Sequence, residues 1–273
     1  MKIMDKFIFI YSRYVPNSLI DLLVKIYLYF HKIKCFFLYG KTDMFDYVTI
    51  ELNRNCNRSC FYCPVSKYKK ISDESMSKKL FIKILKDLRK LNYKGSIIFS
   101  GYCEPLLDPN FDLYLTLTRK LFRKSKIIVY TNGDYLDNDK FNIIKKNDVV
   151  LILTFHSPED KKHSSNLITL LGNYKKLIIK NNIENSFLSN RGGLVKVPKK
   201  ERKKICINPS INFTIDYEGN AVICSHDFFS KNTYGNLNIN SISEIWNSNK
   251  YKSDRKSLLR KVGNNGICKH CLK

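Results

Sequence analysis

With 273 residues, 44% of them hydrophobic and 26% charged, the chain can bury a core of its own, which excludes an intrinsically disordered protein. Its formal net charge of +24 arises from lysines dispersed along the whole length. No basic block stands out as a nucleic-acid arm, and the charge is read as a compositional habit with a secondary capacity to steer anionic substrates. No secretory leader pattern opens the sequence, so the nine cysteines point to metal or catalysis in a reducing cytoplasm rather than to disulfides.

Residues 1–40 form an extension of their own. From Leu19 to Phe37 apolar residues recur at helical spacing (Leu19, Leu22, Leu23, Ile26, Phe30, Ile33, Phe37), with lysines between them. Asp21 and the lysines interrupt every window long enough to span a bilayer. The amphipathic pattern predicts either a cap on the protein body or peripheral contact with the inner face of a membrane.

From residue 46 to residue 190 strands and helices alternate. Strands are predicted at 46–52, 96–100, 126–131, 148–154 and 175–180. Helices are predicted at 75–92 after the Ser72/Asp73 cap signals, and at 109–123, 137–146 and 162–173. This is an α/β pattern with a parallel sheet, and its few units predict an open, partial βα barrel. Residues 191–273 depart from the alternation. They predict a hairpin over 211–224 turning at Glu218-Gly219-Asn220, a short helix at 241–249 and a Lys-rich tail, together a small cysteine-bearing appendage.

Directly after the first strand stands Cys56-Asn-Arg-Ser-Cys60-Phe-Tyr-Cys63-Pro64. Three thiolates so spaced can each take one iron of a cubane cluster and leave the fourth iron open. A structural zinc site is poorly served by three ligands. The end of a strand in a parallel sheet is also where ligands bind.

This loop resembles the cysteine motif of the radical S-adenosylmethionine (SAM) superfamily. Tyr62 matches that superfamily's aromatic position, whose backbone approaches the adenine. Ser100-Gly101-Tyr102-Cys103-Glu104-Pro105-Leu106-Leu107, after the second strand, resembles its Gly-Gly-Glu-Pro motif, with Cys103 where glycine is usual. The resemblance implies that Gly101, Cys103, Glu104 and Pro105 face the methionine end of SAM. Glu104 would receive the ammonium through charge-assisted hydrogen bonds. Thr131-Asn132-Gly133, after the third strand, matches a further pattern of the superfamily. Thr154, His156 and Ser157 follow the fourth strand at the same end, as candidates for the ribose or as an ordinary polar loop.

Cys206, Cys224, Cys268 and Cys271 form a second set, with Cys268-Lys-His-Cys271 able to chelate from one tight turn. Four thiolates suit zinc or a fully ligated [4Fe–4S] cluster. Placed after such a core, the set resembles the twitch/SPASM auxiliary-cluster domains. Gly219 before Cys224, Tyr234-Gly235-Asn236-Leu237 and Ser243-Glu244-Ile245-Trp246 agree with that resemblance, and His270 is read as a bystander. The layout is similar to that of the aminocyclitol (2-deoxy-scyllo-inosamine) dehydrogenases within the superfamily.

The resemblance implies two [4Fe–4S] clusters, SAM as cofactor, and a flavodoxin or ferredoxin as electron donor. It further implies hydrogen abstraction from a small-molecule alcohol of sugar or cyclitol type, with the second cluster as electron acceptor. Tyr130 and Arg191 are the candidate bases, and Arg191 is equally a binder of an anionic substrate group. Peptide modification is the alternative within the superfamily. A zinc-containing nucleic-acid binder is the distant alternative, and no nucleic-acid partner is expected. A catalytically silent iron–sulfur scaffold would follow if Cys103 spoils SAM binding.

Overall fold

The computed structural model describes residues 17–68, 74–157, 160, 167–181, 188–196, 205–260 and 266–271. Residues 1–16, the Ser72/Asp73 cap signals and the start of the helix expected at 162–173 lie outside them.

Five strands follow one another in parallel: β1 (Tyr47–Ile50), β2 (Ser96–Phe99), β3 (Ile127–Thr131), β4 (Val150–Phe155) and β5 (Leu177–Asn181). β1–β4 are rich in Ile, Val and Leu because a parallel sheet covered on one side by helices is buried along most of its length, whereas β5 at the sheet edge is largely exposed. α1 (Asn17–Tyr39) precedes them and α2 (Val65–Tyr68) closes the cysteine loop. α3 (Lys78–Lys90), α4 (Phe111–Leu121) and α5 (Asn138–Lys146) cross between strands. Ser77 caps α3, its hydroxyl accepting from the Leu80 N–H at 3.2 Å. Residues 74–77 are instead drawn along β1's extension, with the Met76 N–H donating to the Leu52 carbonyl at 2.7 Å, so the helix begins later than the predicted residue 75.

One face of the strands packs on these helices. Val48, Ile50, Ile97, Phe99, Ile127, Val129, Leu151 and Leu153 enter the main core with Phe81, Leu85 and Tyr114. The alternate residues, Ile98, Ile128, Val150, Ile152 and Tyr130, line the opposite, inner face.

The sheet does not stop at the fifth strand. Its order is β5-β4-β3-β2-β1-β6-β7-β8. β6 (Asn212–Ile215) pairs in parallel with β1, opposite β2, and β7 (Asn220–Val222) and β8 (Thr233–Asn236) follow antiparallel. The hairpin expected over 211–224 is β6 and β7, and its first strand is one more wall of the barrel. After α6 (Asn208–Ile211) and these strands come α7 (Ile242–Asn247), held by a Ser241/Glu244 capping box, and α8 (Asn249–Leu258), where only a Lys-rich tail was expected. Trp246 of α7 is buried against Phe45, ring centroids 5.0 Å apart. The Arg255 guanidinium of α8 stacks 3.5 Å over Trp246 and pairs with Asp43 at 2.9 Å.

α1 lies at the end of the sheet where β1 and β2 begin. Val24, Tyr27, His31 and Cys35 form its buried face. The Lys34 ammonium and His31 Nε2 meet Asp46 at 2.5 and 3.3 Å, and the Tyr39 hydroxyl accepts from the Lys94 N–H at 3.1 Å. The apolar stripe that periodicity picks out is the other face: Leu19, Leu22, Ile26, Phe30, Ile33 and Phe37 are exposed, Phe37 at 81%.

Candidate active site

At the opposite, C-terminal ends of the strands, four loops converge. The cysteine loop leaves β1 through Asn53, whose carboxamide oxygen accepts from the Asn55 N–H at 2.7 Å and whose nitrogen donates to the Glu104 carbonyl at 3.2 Å. The Glu104 N–H in turn donates to the Asn55 carbonyl at 2.7 Å. The loops after β1 and β2 are thereby stitched backbone to backbone.

The Glu104 carboxylate, 2% exposed, accepts from the Leu106 N–H at 3.1 Å, the Thr131 hydroxyl at 2.8 Å and the Asn132 N–H at 2.8 Å. It caps the short turn Pro105–Leu107, where proline suits a first helical position because no N–H is needed there. Burial pushes this carboxyl up to about 7, against the pull of the three donors. Asn132 carries the stitching on, its side-chain nitrogen donating to the Asn57 carboxamide oxygen at 2.9 Å.

Arg58, between Cys56 and Cys60, donates from Nε to Asp134 at 2.7 Å and from its other nitrogens to Asp134 and Asp160. The Asp134 carboxylate holds this guanidinium above its ordinary range. Asp160 also accepts from the His156 N–H at 2.6 Å, the Ser157 N–H at 3.1 Å and the Ser157 hydroxyl at 3.1 Å. Ser157 is thus committed to a turn. Tyr62 is buried, with its hydroxyl bonded to His156 Nδ1 and its ring stacked on the imidazole at 5.9 Å. Burial, with Arg58 nearby, lowers the His156 pKa to about 4, so this imidazole is neutral at pH 7.

Cys56, Cys60 and Cys63 stand close enough to act on one another. Burial and then the neighbouring thiols push Cys60 up to about 12; burial, Glu104 and Cys63 push Cys56 up to about 11; burial raises Cys63. Three thiols raised by burial, two of them further by a neighbouring thiol, are a donor set that a cationic metal centre would relieve.

Cys103 is half-buried. Burial, with Glu51 and Glu104 nearby, lifts its thiol well above the ordinary range. Gly101 explains itself sterically: a Cβ there would lie 2.6 Å from the Glu51 Cγ. Thr154 is buried at the top of β4, opposite Lys180 of β5. Tyr130 stands apart from the cysteine loop, in the apolar inner wall, with the Lys180 ammonium 4.9 Å over its ring.

The second cysteine set is assembled from three segments. Cys206 is fixed by its N–H to the Leu258 carbonyl at 2.8 Å, and Cys206, Cys224 and Cys268 pack against the same core. His226 links two of the four, its N–H donating to Cys224 Sγ at 3.4 Å and its Nδ1 lying 3.9 Å from Cys271 Sγ. The turn carrying Cys268 and Cys271 rests on Arg191-Gly192-Gly193. A Cβ on Gly193 would lie 2.8 Å from the His270 Cβ, and the Asn190 side chain donates to the His270 carbonyl at 2.6 Å. All three residues of that support have positive φ, Arg191 at 49°. His270 itself is exposed.

Residues 50–187 match the model of the radical SAM superfamily, and residues 206–272 match the SPASM iron–sulfur cluster-binding domain. The chain is 32% identical over 234 residues to the S-adenosyl-L-methionine-dependent 2-deoxy-scyllo-inosamine dehydrogenase of Niallia circulans, covering 84% of this chain and 93% of that one. The chain belongs to the radical SAM superfamily. Among solved structures, BtrN in complex with AdoMet and 2-DOIA superposes with a TM-score of 0.76 at 31% identity, over 84% of this chain and 93% of that one. SuiB of Streptococcus suis bound to the precursor peptide SuiA shares the fold at a TM-score of 0.60 and 14% identity, over 95% of this chain and 75% of that one.

Radical SAM membership brings SAM and a [4Fe–4S] cluster as cofactors, and the SPASM domain a further iron–sulfur cluster. The donor chemistry fits, since three free thiols raised by burial stand in the loop after β1, with a separate set of four free cysteines in the C-terminal part. Several residues that build this radical SAM site carry no motif of their own. Arg58, Asp134, Asp160 and Asn53 brace the cysteine loop across long stretches of chain, and their spacing in sequence holds no signal. Tyr102 lies inside the 100–107 motif and Glu51 in the segment between β1 and the cysteine loop, and neither position carries a signal of its own in the sequence.

Proposed function

We propose that this radical SAM oxidoreductase oxidises a secondary alcohol of a small sugar- or cyclitol-type molecule, bound between the two cysteine sets. The observation that carries this reading is the position of Tyr102. Tyr102 packs with Cys56 and Cys63 of the first set and against the Phe228 ring at 4.9 Å, and the Phe228 N–H donates at 3.0 Å to the carbonyl of His226, the residue that contacts Cys224 and Cys271 of the second. A substrate touching Tyr102 is therefore near both metal-binding sets, as a reaction needing hydrogen removal and then electron removal requires. When bound, SAM and the first cluster supply the 5′-deoxyadenosyl radical that takes the hydrogen.

The chain's own residues do the placing. Cys56, Cys60 and Cys63 would hold the first cluster, and Cys206, Cys224, Cys268 and Cys271 the second. The Tyr62 backbone, Gly101, Cys103, Pro105, Asn132, Thr154 and Ser157 shape the SAM side of the chamber. Glu104 retains acceptor capacity beyond its three internal donors, and the methionine ammonium would lower its raised pKa. Arg191 has a buried Nε without a hydrogen-bond partner among the described residues, which suits it to orient the reacting hydroxyl. Tyr130, on the inner wall, is the second candidate for receiving the hydroxyl proton.

The test is anaerobic incubation of reconstituted protein with SAM, a one-electron reductant and a panel of cyclitols and sugars. One ketone per 5′-deoxyadenosine is expected. SAM cleavage with a modified precursor peptide, and with no ketone from any polyol, would contradict the reading.

Two partners complete the proposal. The net charge of +24 suits an acidic one-electron donor of flavodoxin or ferredoxin type, so reduction by such a donor is expected to slow steeply with added salt. The exposed apolar face of α1, flanked by Lys25 and Lys32, suits peripheral contact with anionic lipid. No helix among the described residues is long and apolar enough to cross a membrane. Sedimentation with anionic vesicles, lost when Phe30, Ile33 and Phe37 become Ser, is expected; equal partitioning of both proteins would rule the contact out.

A further inference from the structure

α1 and the start of the barrel meet through a cluster that neither cysteine set uses. His31 and Cys35 stand one helical turn apart and so share the buried face of α1. Asp46, just before β1, comes up against both. All three side chains are buried, and their donor atoms lie within 4.8 Å of one another. His31 Nε2 is 3.3 Å from Asp46 Oδ1 and 3.6 Å from Cys35 Sγ, and Cys35 Sγ is in turn 3.6 Å from the Met44 carbonyl oxygen. Tyr27 stacks on the imidazole, ring centroids 6.2 Å apart.

These separations are those of a tetrahedral zinc site. Bonds of about 2.0–2.1 Å to nitrogen and oxygen and about 2.3 Å to sulfur place neighbouring ligand atoms about 3.4 Å apart for N···O and about 3.6 Å apart for N···S and O···S. A single N–H on Nε2 is divided between the carboxylate and the thiol, whereas one ion bonds to all three. The charges close as well: thiolate and carboxylate balance a divalent cation, so the loaded cluster is neutral in its buried setting. Asp46 already draws cationic groups, the Lys34 ammonium at 2.5 Å as well as His31. Lys34 is part-exposed and has solvent to return to when an ion takes its place. Mixed sulfur, nitrogen and oxygen donors suit zinc, which binds such a set more tightly than ferrous iron does.

We propose that His31, Cys35 and Asp46 form a structural zinc site that fastens α1 to the barrel, at the end of the sheet opposite Cys56, Cys60 and Cys63. Such a site accounts for the side of α1 that docks. The face carrying His31 and Cys35 turns inward, although the stripe of Leu22, Phe30 and Phe37 is the more apolar. In zinc-free protein the cluster reverts to the His31–Asp46–Lys34 ion pairs, and that is the state in which it answers to pH.

The experiment is X-ray absorption at the zinc edge, with iron and zinc counted on the same samples, on holoenzyme reconstituted with both clusters and then dialysed against zinc ion. Full clusters keep both cysteine sets occupied. Wild type is expected to hold about one zinc beside about eight iron, the zinc with about one sulfur neighbour and the rest nitrogen and oxygen. Cys35→Ser and Asp46→Asn are each expected to weaken zinc at least about 100-fold with bound iron unchanged. Lys34→Ala removes the competing ammonium and is expected to tighten zinc, an outcome that loss of folding cannot imitate. Zinc surrounded by about three or four sulfurs would place it among the cluster cysteines and overturn the site. Wild type holding no zinc above the Cys35→Ser background would reduce the cluster to its ion pairs and overturn it equally.

Discussion

The two cysteine sets are built on opposite plans. The first is one short loop at the end of a single strand, held rigid by polar bonds from three other strand ends: Asn53 to Glu104, Asn132 to Asn57, and Arg58 to Asp134 and Asp160. The second gathers Cys206, Cys224 and the pair Cys268/Cys271 from distant parts of the chain, and rests on glycines rather than on salt bridges. A local loop survives damage elsewhere, whereas a set drawn from three segments depends on every packing contact that brings them together. For a reaction divided between them, the first site should keep its chemistry when the second is lost, and the reverse does not hold.

The largest expected effect breaks the first set. Replacing Cys56, Cys60 and Cys63 with Ala is expected to reduce bound iron from about eight per chain to about four and to abolish 5′-deoxyadenosine formation, measured by iron analysis and chromatography. Retained SAM cleavage would end the assignment of this loop.

A smaller effect tests the glycine support of the second set. Gly193→Ala places a Cβ against His270 at a φ of 93°. It is expected to cost about 1–3 kcal/mol of local stability and to loosen iron at the second set alone, seen as faster chelator removal of half the iron. The Asn53→Ala change should act on the first set instead.

The smallest effect concerns neither set, and so serves as the control for both. His31 is buried, which alone would lower its pKa, but the bonds and charges of Asp46 and Cys35 raise it from 6.5 to about 9. A pKa raised in the folded state contributes stability that is full below about 6.5 and is lost as pH rises through about 9. Thermal stability should therefore fall over that window, by on the order of 1–2 kcal/mol, and His31→Gln should flatten the slope. Bound iron should not change with either. A slope unaltered by the substitution would remove this pair from the account of how α1 is docked.

The same contrast governs what could be read without the structure. The strand–helix alternation from 46 to 155, the Cys56–Cys63 loop and Glu104-Pro105 are local patterns, and local patterns survive in sequence. The pairing of β6 with β1 joins residues more than half the chain apart, and nothing in either strand names its partner. In α8 only Tyr251, Arg255 and Leu258 turn inward, too sparse a face to announce a helix among lysines. Periodicity in α1 correctly marks a stripe but not its direction. The face that docks is carried by Val24, Tyr27, His31 and Cys35, half of it polar, while the more hydrophobic stripe is left outside. Arg58 is an ordinary surface-type residue until Asp134 and Asp160 are brought to it.

The division of labour between the sets is tested most directly by the variant Cys268→Ala with Cys271→Ala, assayed anaerobically for 5′-deoxyadenosine and for oxidised substrate in the same reaction. SAM binding by equilibrium dialysis controls for folding. The account predicts SAM binding and 5′-deoxyadenosine formation close to wild type, with ketone product reduced at least about tenfold because the substrate radical lacks its electron acceptor. Ketone formed in normal amount, one per 5′-deoxyadenosine, would contradict it and leave the C-terminal cysteines a purely structural role.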